Sequence, residues 1–339
     1  MNSAEAYRKL FASFVSGTQD EFFRVAEEII EEEEDKHNNK LAKDLRRILY
    51  NGNGAKNYSE RYKKALPIPR DTERGMPLVE IKEFKRDWSD IVIEENIENS
   101  LKRVISENQK REILEVSGLK PKQKLLFFGP PGCGKTLAAE VLSTVLGWSM
   151  VYVRFDGLIS SYLGETASNL RKTFDFIERG QWVVFFDEFD AIGKERDSPF
   201  EHGEIQRVVN SFLQMLDNFP GESIIIAATN HQHLLDPALW RRFDELVYFG
   251  IPDKKGRIGI FKKYLRAMRT KDIDLDYFAD KTDGMSPADI EMICLNAMKE
   301  VILSGKKSLT KIELEAYVEK QKERIEIRSR VMSGARNGG

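Results

Sequence analysis

No apolar run in this chain approaches the roughly 18 residues that a membrane-crossing helix needs, so no span of that kind is expected. The amino terminus lacks a hydrophobic stretch too: Glu5, Arg8 and Lys9 stand where a signal sequence would carry its apolar core. Cysteine is scarce. Cys133 and Cys294 are too few for a disulfide framework and fit a reducing compartment, which makes the cytoplasm the expected location. An excess of either charge is also missing, since 53 basic and 55 acidic residues nearly cancel. Whole-molecule charge therefore draws the chain toward neither nucleic acid nor an anionic membrane, and neither is an expected partner. There is no His-Glu-x-x-His segment and no Gly-x-Ser-x-Gly elbow, hence no visible protease chemistry, and no repeat, low-complexity tract or heptad series.

What is present is ample apolar material, 41% of 339 residues, enough to bury a core across two or three compact units. Residues 1–50 read as a small helical domain. Tyr7, Leu10, Phe11 and Phe14 share one helical face, Phe22, Val25, Ala26 and Ile29 a second, and Leu41, Leu45, Ile48 and Leu49 a third that ends at Asn51-Gly52-Asn53-Gly54. Thr18 and Glu21 have the spacing of a capping box, and the acidic run Glu31 to Asp35 reads as a solvated helix face. Residues 51–87 carry Gly52, Gly54, Pro67, Pro69 and Pro77 without a steady period and read as a linker.

From Trp88 the texture changes. Short continuous apolar runs, Lys124 to Phe128, Met150 to Phe155, Trp182 to Phe186, Ser223 to Ala228 and Glu245 to Phe249, alternate with amphipathic stretches. Strands buried on both faces look like this, so residues 88–252 are expected to form an α/β core, a parallel sheet layered between helices. After Pro252 helices take over: Ser286-Pro287 starts one whose apolar face is Ile290, Ile293, Cys294, Ala297 and Val301, and Thr310 with Glu313 opens the last. Residues 253–330 are thus expected as a helical third unit, with 331–339 a flexible tail.

The chemistry lies in four short segments. Gly129-Pro130-Pro131-Gly132-Cys133-Gly134-Lys135-Thr136 fits G-x-x-x-x-G-K-T and falls between a strand and a helix, the P-loop NTPase arrangement. Its glycines let the backbone curl until amide hydrogens face phosphate oxygens, and the helix amino terminus adds partial positive charge. On this reading Pro131, Gly132, Cys133, Gly134, Lys135, Thr136 and Leu137 contact ATP, Lys135 reaches its β and γ phosphates, and Thr136 ligates magnesium. Asp187 and Glu188 end a very apolar strand, so their carboxylates emerge where α/β folds bind ligands. Asp187 would hold Mg2+ through water, and Glu188 would polarise the attacking water as general base. Asn230 closes the next strand and could orient that water. Arg241 and Arg242 admit two readings, solvated surface cations or an arginine that reaches a neighbouring subunit's γ phosphate. His231 and His233 have no cysteine or acidic cluster beside them and do not read as a metal site; Cys133 reads as a tolerated small residue of the loop.

Together these motifs resemble those of the AAA+ ATPases, in the subfamily that contains katanin, spastin and the membrane-bound AAA proteases, over a span from about Trp88 to Arg328. Asp90-Ile91 lies where the family's Asp-Ile-Gly-Gly segment holds adenine, with Val92 and Ile93 replacing both glycines. Ser161-Tyr162-Leu163-Gly164-Glu165 resembles the pore loop, which implies that Tyr162, Leu163 and Gly164 face the channel of a ring, although a core tyrosine would look the same. Asp217-Asn218-Phe219 occupies the Asp-Gly-Phe position that senses the next subunit's nucleotide. Gly256-Arg257 matches the start of the lid, and Gly284-Met285-Ser286-Pro287-Ala288-Asp289 resembles a lid turn without a sensor arginine. Leu239 to Asp244 is about two residues shorter than the family's Leu-x-Arg-Pro-Gly-Arg-Phe-Asp; Arg242 aligns with the final arginine, and the role of Arg241 stays open.

The resemblance implies an ATP- and Mg2+-dependent homo-oligomeric ring, a hexamer, that threads a protein substrate through its pore. It also suggests a separately encoded subtilisin-like serine protease as a partner that the amino-terminal helices could dock. Two other readings stay open: a nucleic-acid-directed ATPase of loader or helicase type, and a nucleotide-switched assembly scaffold.

Overall fold

The computed structural model describes residues 8–12, 19–36, 38, 41–42, 45, 66–71, 75–154, 163–189, 199–231 and 237–334. The chain divides into two compact units, Met1–Pro67 and Ile68–Gly339. In the first, helix α1 (Gln19–Asp35) buries Val25, Ile29 and Ile30, and Leu10 and Leu45 pack against Val25 and Ile29. One member from each of the other two apolar faces thus meets the α1 face. Phe11 departs from its expected place and is 69% exposed. Neighbouring helical residues point about 100° apart, so a face centred on Leu10 turns Phe11 away. Tyr7, Phe14, Thr18, Ile48, Leu49 and Asn51 to Gly54 lie outside the described residues.

The second unit is built on a six-stranded sheet: β1 (Val79–Lys82), β2 (Lys124–Phe128), β3 (Met150–Arg154), β4 (Val183–Asp187), β5 (Ile224–Thr229) and β6 (Glu245–Tyr248), in spatial order β1-β3-β4-β5-β2-β6. The strands read from apolar runs pair in parallel, and their ends fall within about a residue of those runs. β1, a strand that the sequence reading did not give, pairs antiparallel with β3 along one edge. It lies within the span read as linker: four residues beside prolines are too few to display a period. Among the described residues just upstream, the Asp71 amide donates to the Met76 carbonyl at 2.9 Å and the Leu78 amide to that of Pro69 at 2.9 Å.

Alternate strand residues face opposite layers. Phe185 joins the core beneath helices α2 (Glu95–Gln109) and α3 (Lys135–Leu146), together with Leu101, Val104, Leu125, Phe127 and Val141. Phe186 faces the other way, 6.0 Å from Phe174 on α4 (Leu163–Glu178) and 5.3 Å from Phe212 on α5 (Pro199–Asp217). This is the three-layer α/β arrangement. Among the described residues, no helix is long and apolar enough to cross a membrane.

Beyond a short helix, α6 (Pro237–Trp240), and β6 comes the lid: α7 (Lys254–Leu265), α8 (Leu275–Lys281), α9 (Pro287–Leu303) and α10 (Lys311–Gly334). The expected face of α9, Ile290, Ile293, Cys294, Ala297 and Val301, is wholly buried in the lid core with Phe261, Phe278, Leu314 and Val318. Ser286 caps α9 in a reciprocal box with Asp289, as the Ser-Pro start predicts. Strands do not cease entirely after Pro252, because β7 (Thr270–Lys271) and β8 (Leu309–Thr310) form a parallel pair of two residues each, too short to leave a sequence signal.

The cap of α10 is sensitive to acid. Glu313 accepts from the Lys306 ammonium at 2.6 Å and from the Thr310 amide at 3.0 Å, and these contacts, that to Lys306 foremost, hold its carboxyl down at about 2. Since the folded value lies below the ordinary one of 4.5, the stabilisation is full above that pH and is lost as pH falls toward about 2. Thermal melts followed by circular dichroism should therefore show wild type more stable than Glu313→Gln at pH 6, with the difference shrinking toward pH 2.

Candidate functional site

Gly129 to Gly134 leave β2 and turn into α3 with Gly129, Gly132 and Gly134 at φ of 135°, 77° and 95°, a region that favours glycine. Space is as restrictive as the dihedral angles. A Cβ on Gly129 would lie 2.1 Å from the Phe249 carbonyl oxygen, and one on Gly132 would lie 3.0 Å from both Ala288 Cβ and Ser286 Oγ of the lid turn. Gly134 has no side chain with which to cap α3, so the helix meets the loop with amide groups alone. A bare, curled backbone ahead of a helix amino terminus fits a phosphate chain. The buried Lys135 donates its ammonium to the carbonyls of Gly129 at 2.8 Å and Pro130 at 2.9 Å, which keeps it on the loop. Thr136 is half-buried beside it. Leu137 packs its side chain on the core, leaving its amide to the loop, while Pro131 is exposed. Cys133 is 4% exposed, and burial pushes its thiol above the ordinary value, which suits a small neutral filler.

β5 lies between β2 and β4, with Phe128 opposite Thr229 and Phe186 opposite Ala227. The residues that follow these strands, Gly129, Asn230 and the Asp187-Glu188 pair, therefore emerge along one edge. Asp187 is half-buried; its Oδ2 accepts from the Tyr152 hydroxyl and its Oδ1 from the Glu188 amide at 2.9 Å. Glu188 is exposed at φ 52°, a left-handed conformation that a residue with a Cβ holds only at a cost of about 1 kcal/mol or more. Phe189 is fully buried, 5.0 Å from the Phe212 ring and 6.4 Å from that of Phe243, and anchors the far side of this turn. Among the described residues no group of three or more His, Cys, Asp or Glu converges as a metal cluster. Magnesium with nucleotide needs only one or two protein ligands beside the phosphates, so the expected pair Thr136 and Asp187 requires no such cluster. His231 is exposed, and His233 lies outside the described residues.

Asp90 and Ile91 lie at the seam between core and lid. The Asp90 carboxylate accepts from the Asp87 amide at 3.0 Å in a capping box of its own turn, and its carbonyl accepts from Lys263 of α7. Its carboxylate is thus engaged, so its share in holding a base would fall to backbone. Ile91 is buried with its Cδ1 3.8 Å from where a Gly134 Cβ would sit, while Val92 packs into the lid core. Tyr152 and Lys263 escaped the sequence reading, as did the approach of Ser286 and Ala288 to Gly132, and each acts through a partner distant in the chain. For Tyr152 alone there was a local signal, a hydroxyl in an otherwise apolar strand.

Arg241 and Arg242 are not brought to this edge. They follow α6 and precede β6, at the opposite end of the strands, and Arg242 is 47% exposed in an ion pair with Asp217 at the end of α5. The five residues of β2 between the two edges span roughly 16 Å, beyond an arginine's reach to its own loop. Leu163 and Gly164 form the first turn of α4; Ser161 and Tyr162 lie outside the described residues.

Residues 125–251 match the ATPase family associated with various cellular activities (AAA), and residues 272–316 match the AAA+ lid domain. An uncharacterized AAA family ATPase, y4kL, of Sinorhizobium fredii (strain NBRC 101917 / NGR234) is 40% identical over 314 residues, which cover 91% of this chain and 92% of that protein.

The loop's tight passage is open to test. Gly129→Ala should cost about 2–4 kcal/mol or prevent folding, because its Cβ meets backbone that cannot yield. Gly132→Ala, whose neighbours are side chains, should fold and lose nucleotide affinity; urea unfolding and nucleotide titration read the two effects.

Proposed function

The chain belongs to the AAA ATPase family, and from that premise we propose that it is a magnesium-dependent, ring-forming ATPase that completes each active site with a neighbour's arginine and threads polypeptide through a central pore. The observation that carries this reading is the separation of Arg242 from its own phosphate loop by the length of the strands. In a head-to-tail ring, one subunit's Arg242 edge would face the next subunit's loop edge. Lys135 binds the β and γ phosphates, Thr136 and Asp187 hold the metal, Glu188 takes the proton of the attacking water, and Asn230 orients that water. A magnesium ion held there would supply positive charge to offset that of the phosphates. Arg242, with Arg241 beside it, stabilises charge on the neighbour's γ phosphate as it transfers. The lid, joined to the loop through Ser286 to Ala288, shifts as nucleotide changes and carries Tyr162, Leu163 and Gly164 along the channel. The ring is a cytoplasmic hexamer, and residues 1–50 dock a separately encoded protease of subtilisin type.

Glu188→Gln should retain ATP and lower kcat by at least about a hundredfold. Arg242→Ala should lower kcat by about 10³ to 10⁵, or roughly 4–7 kcal/mol. Mixing the two inactive variants decides the intersubunit claim, because a Glu188→Gln chain can lend its intact arginine to an Arg242→Ala neighbour. Recovered turnover in the mixture, and specific activity that climbs with protein concentration, are the expected results; a mixture as inactive as its parts would refute sharing. Tyr162→Ala should keep ATPase activity and lose processing of a protein substrate.

A further inference from the structure

We propose that Tyr152 is a positioning residue for magnesium: its hydroxyl orients the Asp187 carboxylate and, through it, the Glu188 turn. The proposal rests on the reading of Asp187 as a metal ligand. β3 and β4 pair in parallel with Tyr152 opposite Phe185 and Arg154 opposite Asp187. Residues two apart on a strand share a face, so Tyr152 and Asp187 lie on the side of the sheet covered by α3, where the phosphate loop ends. The Tyr152 ring lies 5.7 Å from that of Phe185, and the Lys82 ammonium from edge strand β1 sits 4.9 Å from its centroid. Held by these contacts, the phenol points along the strand and donates to Asp187 Oδ2.

The other carboxylate oxygen accepts from the Glu188 amide at 2.9 Å. Two donors leave the carboxylate one orientation and direct its free lone pairs outward. The same bond to the Glu188 amide braces the left-handed turn from which the general base projects. A phenol–carboxylate hydrogen bond is charge-assisted, and partners of this kind behind a ligating carboxylate commonly set metal affinity by about 10- to 100-fold. Magnesium held through water belongs at the lower end. Removing the hydroxyl should therefore weaken magnesium and leave metal-free nucleotide binding alone, which a role in packing alone would not do.

The test is equilibrium binding of fluorescent ADP to the full chain across a magnesium titration. In Tyr152→Phe the magnesium midpoint should rise about tenfold, with ADP affinity in EDTA and the thermal midpoint unchanged. In an Asp187→Asn background the same substitution should produce no further shift. A midpoint within twofold of wild type, or a shift that persists without the Asp187 carboxylate, overturns the proposal while leaving the ATPase reading intact. Wild-type ADP binding indifferent to magnesium sinks both.

Discussion

Everything chemical in this protein depends on a strip of backbone that has no room for side chains. Gly129 passes so near the Phe249 carbonyl that even one methyl group is excluded, and Gly132 lies against Ser286 and Ala288 of the lid. Strand, loop and lid turn are therefore fitted to one another before any ligand arrives. The Phe249 amide donates to the Phe128 carbonyl at 2.8 Å and the Ala288 amide to the Gly132 carbonyl at 3.1 Å, so the close approaches are also hydrogen-bonded ones. Burial of Phe127 and Phe249, 5.0 Å apart, fixes the frame on which the loop hangs.

The lid meets the core at a second place, and this shapes how the two can move. Ile91 is buried in the main core while its neighbour Val92 packs into the lid core, and Lys263 of α7 donates to the Asp90 carbonyl. That lysine is half-buried, and its burial lowers its pKa. Arg257, itself buried, ties Pro252 at the core's exit to Ala279 of α8 with two bonds of 2.8 Å. Around the loop, by contrast, the lid makes a bond and a few van der Waals contacts. On the proposed reading, a lid pinned at Asp90 to Ile93 and more lightly at Gly132 would pivot about the first and register changes at the second.

The parts of this architecture that were legible in sequence are those where one physical demand dominates locally. Leu125 to Phe127 and Val183 to Phe186 are continuous apolar runs because both faces of those strands are buried; the capping box at Ser286 and the face Ile290 to Val301 follow from helix geometry. The loop glycines and the Asp187-Glu188 pair were legible because few residue types satisfy their chemistry. What stayed hidden depends on partners far along the chain. β1 owes its pairing to β3, about 70 residues away, and its own four residues show nothing distinctive. Tyr152 gained meaning only when the register of β3 and β4 set its hydroxyl beside Asp187, 35 residues on. The left-handed Glu188 was likewise silent, because no glycine marks the position; its turn is flanked by the buried Phe189 and by the bond from its own amide to the Asp187 carboxylate.

The resting place of Arg242 bears on whether an arginine can serve another subunit. Its carboxylate partner Asp217 is 31% exposed and the arginine 47%, so the pair is solvated and worth at most about 1 kcal/mol. A guanidinium that stabilises the charge of a transferring phosphoryl group contributes several times as much, about 4–7 kcal/mol. Release from Asp217 therefore takes back only a small part of that transition-state stabilisation, and the carboxylate it leaves can return to water rather than remain as a buried, unpaired charge. Had the pair been buried, release would have left Asp217 desolvated at a cost of about 3–5 kcal/mol, and most of the gain would have been lost. An exposed, weakly held arginine at the edge opposite its own phosphate loop is thus suited to be handed between chains as ligand comes and goes.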